Sequence, residues 1–220
     1  MITKTQTSGI IHIVGAALAV AALTLLVIFS AIHASAWHIV SFSIYGASMI
    51  ILYTMSSLYH MFREGSTVRK VFQVLDHCSI YLLIAGTYTP VCLIPLNGGW
   101  GWTIFGIVWG LSVLGIVWKC VDRNIAQGIS RKISTLIYII MGWMIIIAFY
   151  PLIKTVPIAG IFYLVLGGIM YTIGGIIYGL KKPSINCEWF GHHEVFHIFV
   201  VLGSACHFWF MFKYLMFVTV

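Results

Sequence analysis

Charge is scarce in this sequence. Only 8% of the 220 residues are Asp, Glu, Lys or Arg, and the acids number five. A soluble domain carries about 25% charged residues, so this chain has too few to cover a water-facing surface. Strand-like alternation over ten-residue blocks is missing, which argues against a membrane β-barrel. No small-residue cleavage site follows a short apolar core near the N-terminus. The first apolar run is too long for a signal peptide, and it is expected to stay. The cysteines, Cys78, Cys92, Cys120, Cys187 and Cys206, are odd in number and show no CxxC spacing. A disulfide framework is not expected from them. Internal repeats and low-complexity stretches are also absent.

Apolar residues, by contrast, make up 61% of the chain. Each membrane span needs about 20 of them. The apolar runs fall at about 10–32, 38–62, 71–95, 100–118, 133–153, 157–180 and 193–217. They predict a single all-α domain, a bundle of seven transmembrane helices covering 1–220. Breakers separate the runs: Glu64-Gly65-Ser66, Pro95-Leu96-Asn97-Gly98-Gly99 and Lys181-Lys182-Pro183. Trp100, Trp102, Trp118, Trp189 and Trp209 sit near run ends, as an aromatic belt requires.

The net charge of +7 belongs to membrane orientation and not to nucleic acid, because the basic residues lie in short gaps between the runs. With the N-terminus in the cytoplasm, the inner segments hold Lys4, Arg63, Arg69, Lys70, Lys119, Arg123, Arg131, Lys132, Lys181 and Lys182. The outer ones hold only Lys154 and Lys213. The positive-inside rule then puts the C-terminus outside. The expected location is the cytoplasmic (inner) membrane. Gly106-xxx-Gly110 and Gly175-xxx-Gly179 permit close helix contact and are expected to pack within the monomer, the alternative being a dimer seam. Pro90 is expected to kink the third helix, with Thr87 and Thr89 near the freed carbonyls.

Ionisable residues inside a membrane are expensive and mark function. His60 lies at the cytoplasmic end of the second helix and Asp76 in the first turns of the third. His193 and His197 open the seventh. All four fall within roughly 10 Å of the inner boundary at 1.5 Å per residue. His193 and His197, four apart, point from one helix face and are spaced to chelate one tetrahedral metal, with His60 as a third nitrogen. Three histidines with an open fourth position describe a catalytic zinc site, where a water of lowered pKa becomes a nucleophile. Asp76 is placed to accept that water's proton or orient it. Ser56, one turn deeper than His60, is placed to bond the substrate or the water. The competing reading is that these histidines only bond neighbouring helices.

The other histidines are weaker candidates. His77 is about 100° round the helix from Asp76, so both are not expected to face one centre. His192 is offset from His193 in the same way. His12 is a poor fourth ligand, His33 and His38 are expected to be solvated at the outer surface, and His207 is expected to be a packed polar residue. His193-Glu194-Val195-Phe196-His197 also matches HExxH, in which the Glu is a peptidase's general base. Alternatively Glu194 is a water-exposed boundary residue.

Ser56-xxx-His60, Leu75-Asp76 and His193-xxx-His197 together resemble the signature motifs of the hemolysin III family, the bacterial branch of the progestin and adipoQ receptor group. The stretches Leu75 to Pro90 and His193 to Phe208 look like that family's third and seventh helices. The resemblance implies a seven-helix fold with a cytoplasmic N-terminus and a zinc ion on His60, His193 and His197. It implies that Asp76 orients the zinc water and that Ser56 lies beside the metal. The family is similar in layout to alkaline ceramidases, which supports a zinc-dependent hydrolase acting on a lipid amide or ester, with membrane lipids as partners. The alternatives are a non-enzymatic regulator of membrane fluidity or energetics with structural zinc, a pore-forming cytolysin, and an intramembrane peptidase. The long N-terminal cytoplasmic domain of the receptors is absent here, so hormone-type signalling is not expected. The sequence leaves the oligomeric state open.

Overall fold

The computed structural model describes residues 3–122, 128–185 and 187–220. Among these every regular element is helical. Helix α1 spans Lys4–His33, α2 Ala36–Met61, α3 Thr67–Leu93 and α4 Gly99–Val121. Helix α5 spans Gly128–Trp143, α6 Phe149–Thr155, α7 Ile158–Leu180 and α8 His192–Lys213. Helix starts follow local chemistry. The Thr3 hydroxyl accepts from the Gln6 amide while the Gln6 side chain accepts from the Thr3 amide, a reciprocal cap for α1. Ser66 caps α3 by accepting from the Arg69 amide at 3.2 Å.

The fifth apolar run departs from expectation. It is not one helix over 133–153: a 3₁₀ turn at Met144–Ala148 separates α5 from α6. The cause is a side chain from another helix. The Tyr88 hydroxyl, on α3, accepts from the Ile145 amide at 2.8 Å and is shared between the carbonyls of Met141 and Gly142, 2.9 Å from each. In an unbroken helix the Ile145 amide would bond the Met141 carbonyl. The hydroxyl sits in place of that bond, and a side chain inserted into the ladder breaks a helix. Pro90, by contrast, does not end α3, which runs on to Leu93. Thr87 and Thr89 donate to the carbonyls of Leu83 and Ala85, and Thr89 also accepts from the Trp109 indole at 3.1 Å.

The helices form a closed ring. α1 packs on α2, α2 on α3, α3 on α5, α5 on α7, α7 on α8, and α8 returns to α1. α4 stands outside the ring against α3. Six segments are long and apolar enough to cross a membrane: Lys4–His33, Ala36–Met61, Gly99–Val121, Ser130–Thr155, Ile158–Leu180 and His192–Phe217. The chain is therefore a multi-pass membrane protein. α3 falls outside that group, and Arg69, Lys70, Gln73, Asp76 and His77 crowd its first turns. Large apolar side chains such as Leu18, Ile32, Leu114 and Ile158 cover the outside, as a lipid-facing surface demands.

The two glycine pairs differ. Gly175 and Gly179 pack against Thr135 of α5, as expected within a monomer. Gly106 and Gly110 face open space, because the face of α4 that packs on α3 is the one carrying Gly115 against the Tyr81 ring. For that pair the expectation of packing inside the monomer is corrected. All five cysteines are free thiols. Arg123 lies outside the described residues.

Candidate functional site

The last turn of α2 and the first turns of α8 meet at one end of the ring. There the Nε2 atom of His193 lies 3.2 Å from that of His60 and 3.1 Å from that of His197. The i, i+4 spacing on α8 stacks two imidazoles on one face, and α2 brings the third. His60 and His197 are buried and His193 is partly buried. A single proton can bridge only one pair of three converging nitrogens. A tetrahedral ion with metal–nitrogen bonds of about 2.0–2.1 Å separates its ligands by roughly 3.3–3.4 Å. The two distances from His193 lie close to that spacing.

His193 and His197 of this triad line a cavity of about 370 Å³ whose wall is mostly apolar. The cavity follows α3 from Asp76 to Val91, fifteen residues or roughly 22 Å of helix. Asp76 supplies the one carboxylate on its described wall, and Ser56, itself buried, interacts with that carboxylate through its hydroxyl. Asp76 stands outside the cluster of three nitrogens, whose ligand atoms lie within 4.8 Å of one another. A carboxylate so placed can hold or move a proton beside the cluster without occupying it. Of the five residues singled out from sequence, Ser56, Asp76, His193 and His197 line this cavity, while His60 is off its wall and lies 3.2 Å from His193.

Several neighbours are placed differently from expectation. His77 lines the same cavity as Asp76 despite their offset, with Nδ1 donating to the Gln73 carbonyl at 2.7 Å and Nε2 beside the Tyr178 hydroxyl at 3.2 Å. Glu194 is not water-exposed. It is buried at 1% and accepts from the Ser8 hydroxyl of α1 at 2.6 Å. It does not line the cavity, so it is not placed as the HExxH base. His38 is buried rather than solvated, bonded to Ser35 Oγ at 2.9 Å and 3.3 Å from the Leu215 carbonyl. His207 donates from Nε2 to the Leu164 carbonyl at 3.1 Å, a packed polar residue as expected, though it reaches the cavity wall.

His12 was underrated by sequence. Its ring stacks on that of His197, centroids 3.8 Å apart, and lies edge-on to Tyr53 at 5.1 Å. It is 2% exposed, and neither ring nitrogen has a hydrogen-bond partner. Its depth at the inner end of α1 was the available signal. What the sequence did not reveal is that α1 and α8, the first and last helices, are neighbours.

Comparison with known proteins bears on the whole chain. The family model described as "Haemolysin-III related" matches residues 1–208. The chain is 43% identical over 203 residues to the Hemolysin-3 homolog of Bacillus subtilis (strain 168), covering 91% of this chain and 89% of that protein. It is 42% identical over 203 residues to Hemolysin-3 of Bacillus cereus, covering 91% and 87%. A shorter match, 36% identical over 52 residues, is to the ADIPOR-like receptor IZH2 of Saccharomyces cerevisiae, covering 21% of this chain and 16% of that receptor. An all-helical multi-pass chain matched by the family model over nearly its whole length, with three histidines gathered at one end, belongs to the haemolysin-III-related family.

Proposed function

We propose that this chain is a seven-span enzyme of the cytoplasmic membrane that hydrolyses an amide or ester bond in a membrane lipid, using one zinc ion. The observation that supports it most is the meeting of three imidazole nitrogens, one carboxylate and a mostly apolar cavity at one end of the bundle. In this reading α3 is also a span, which raises the six to seven, and α5 with α6 counts as one. The N-terminus is cytoplasmic and the C-terminus outside, because ten of the twelve basic residues then fall on the inner side.

His60, His193 and His197 would hold the ion and leave one position open. Zinc, when bound, supplies Lewis acidity that makes water nucleophilic near neutral pH and polarises a carbonyl. Asp76 accepts the proton of the attacking water and passes it to the leaving amine or alcohol. Ser56 orients the Asp76 carboxylate. The apolar wall binds the acyl chain and keeps bulk water from the reacting bond. An HExxH peptidase would need Glu194 beside the triad, whereas Ser8 holds it towards α1.

Elemental analysis of the purified chain tests the foundation of this reading. About one zinc per chain is expected, lost in His60→Ala and in His197→Ala. Full zinc in both variants would remove these residues as ligands.

A further inference from the structure

Among the described residues, an arginine on the cavity wall has no ion-pair partner. Arg131, in the first turns of α5, is partly buried and lines the cavity, and its Nε is buried without a hydrogen-bond partner. The ion pairs among the described residues involve other groups, Arg69 with Glu64 and Lys119 with Asp122. Two more basic groups line the same wall at the same end. Lys181 caps α7 in the left-handed conformation, φ 55°, and His192 is the first residue of α8. Arg131 and Lys181 lie close enough to act electrostatically on His192. The carboxylate on the described wall is Asp76, which is engaged by Ser56, and Glu194, off the wall, also acts on His192.

Leaving a guanidinium unpaired in a membrane protein is unfavourable, and such groups face a partner or an aqueous path. A guanidinium presents a planar fork of donors that matches phosphate and carboxylate oxygens. Lys181 adds charge beside it, and the His192 ring adds a polar nitrogen. Beyond this rim the cavity is apolar, which suits a chain and not a free ion.

We propose that Arg131, Lys181 and His192 form a headgroup site for an anionic, phosphate-bearing lipid whose chain occupies the apolar part of the cavity. The inference rests on reading the cavity as a lipid site, and it narrows the substrate class to lipids with a negatively charged headgroup. The phosphate binds at the rim without covalent change. It thereby sets which bond along the lipid lies against the triad.

Binding by the full chain, purified in a neutral detergent, tests this with three probes: monooleoylglycerol phosphate, monooleoylglycerol and inorganic phosphate. The phosphorylated lipid is expected to bind roughly ten- to a hundredfold tighter than its neutral counterpart, the effect of one or two charge-assisted hydrogen bonds. That preference should vanish in Arg131→Gln and be largely kept in Arg131→Lys, with zinc content equal to wild type in both. Equal binding of the two lipids, or a preference that survives Arg131→Gln, would overturn the headgroup site while leaving the lipid cavity standing. Inorganic phosphate binding as tightly as the phosphorylated lipid would reassign the rim to a free anion and overturn it too. Failure of both lipids to bind would remove the lipid cavity itself.

Discussion

The imidazole of His12 lies flat against that of His197, with centroids 3.8 Å apart and planes within 20°. Through this contact α1 fixes the rotation of a ring that the proposed zinc site needs in one orientation. Groups that orient a metal ligand typically change metal affinity about 10–100-fold when removed. His12→Ala is therefore expected to fold but to bind zinc about tenfold more weakly in chelator competition. His12→Phe keeps a flat ring and should stay near wild type. If His12→Ala binds zinc as tightly as wild type, the stack contributes nothing to the site.

Tyr88 is the second control point. Its hydroxyl satisfies the Ile145 amide and lies 2.9 Å from the Met141 and Gly142 carbonyls. Tyr88→Phe strips the partner from one buried and two partly buried backbone groups, at about 1–3 kcal/mol. Thermal unfolding in detergent should show that loss. An unchanged unfolding midpoint would mean that the 3₁₀ turn does not depend on the hydroxyl.

The interrupted fifth span shows why part of this fold was legible and part was not. Apolar run lengths located most helix ends to within about four residues, though α1 starts six residues before its run, because a lipid-facing helix must be apolar throughout. The His193 and His197 pair was legible because 3.6 residues per turn fixes which side chains share a face. The break in the fifth run was not, since its cause, Tyr88, lies more than fifty residues away. The burial of Glu194 and His38 depends likewise on Ser8 and Leu215, from distant helices. The outward turn of Gly106 and Gly110 was hidden for another reason. A helix apolar on all sides carries little sequence record of which side faces its neighbour.

That last point makes α4 a direct test of the packing. A methyl group at Gly115 would run into the Tyr81 ring, whereas at Gly106 and Gly110 it would meet nothing within 4 Å. Gly115→Ala is expected to lower stability by about 1–3 kcal/mol, the usual effect of overpacking. Gly106→Ala and Gly110→Ala should be neutral, or stabilising by up to about 1 kcal/mol from helix propensity. Unfolding of the three variants in one detergent compares them. Equal loss at all three positions would contradict the placement of α4.

The central claim is hydrolysis, and Asp76 separates it from a structural role for zinc. Asp76→Asn keeps the shape of the side chain and its place beside Ser56 but cannot take a proton from water. Loss of a general base typically lowers the rate about 10²–10⁴-fold, while the three proposed histidine ligands are untouched. The decisive measurement is release of free acyl acid from lipid amides and esters by purified wild type and Asp76→Asn at matched zinc content. The account predicts turnover by wild type and at least about a hundredfold less by Asp76→Asn. Zinc-loaded wild type that releases no acid, or an Asp76→Asn variant as fast as wild type, would contradict it and leave a membrane regulator built around structural zinc.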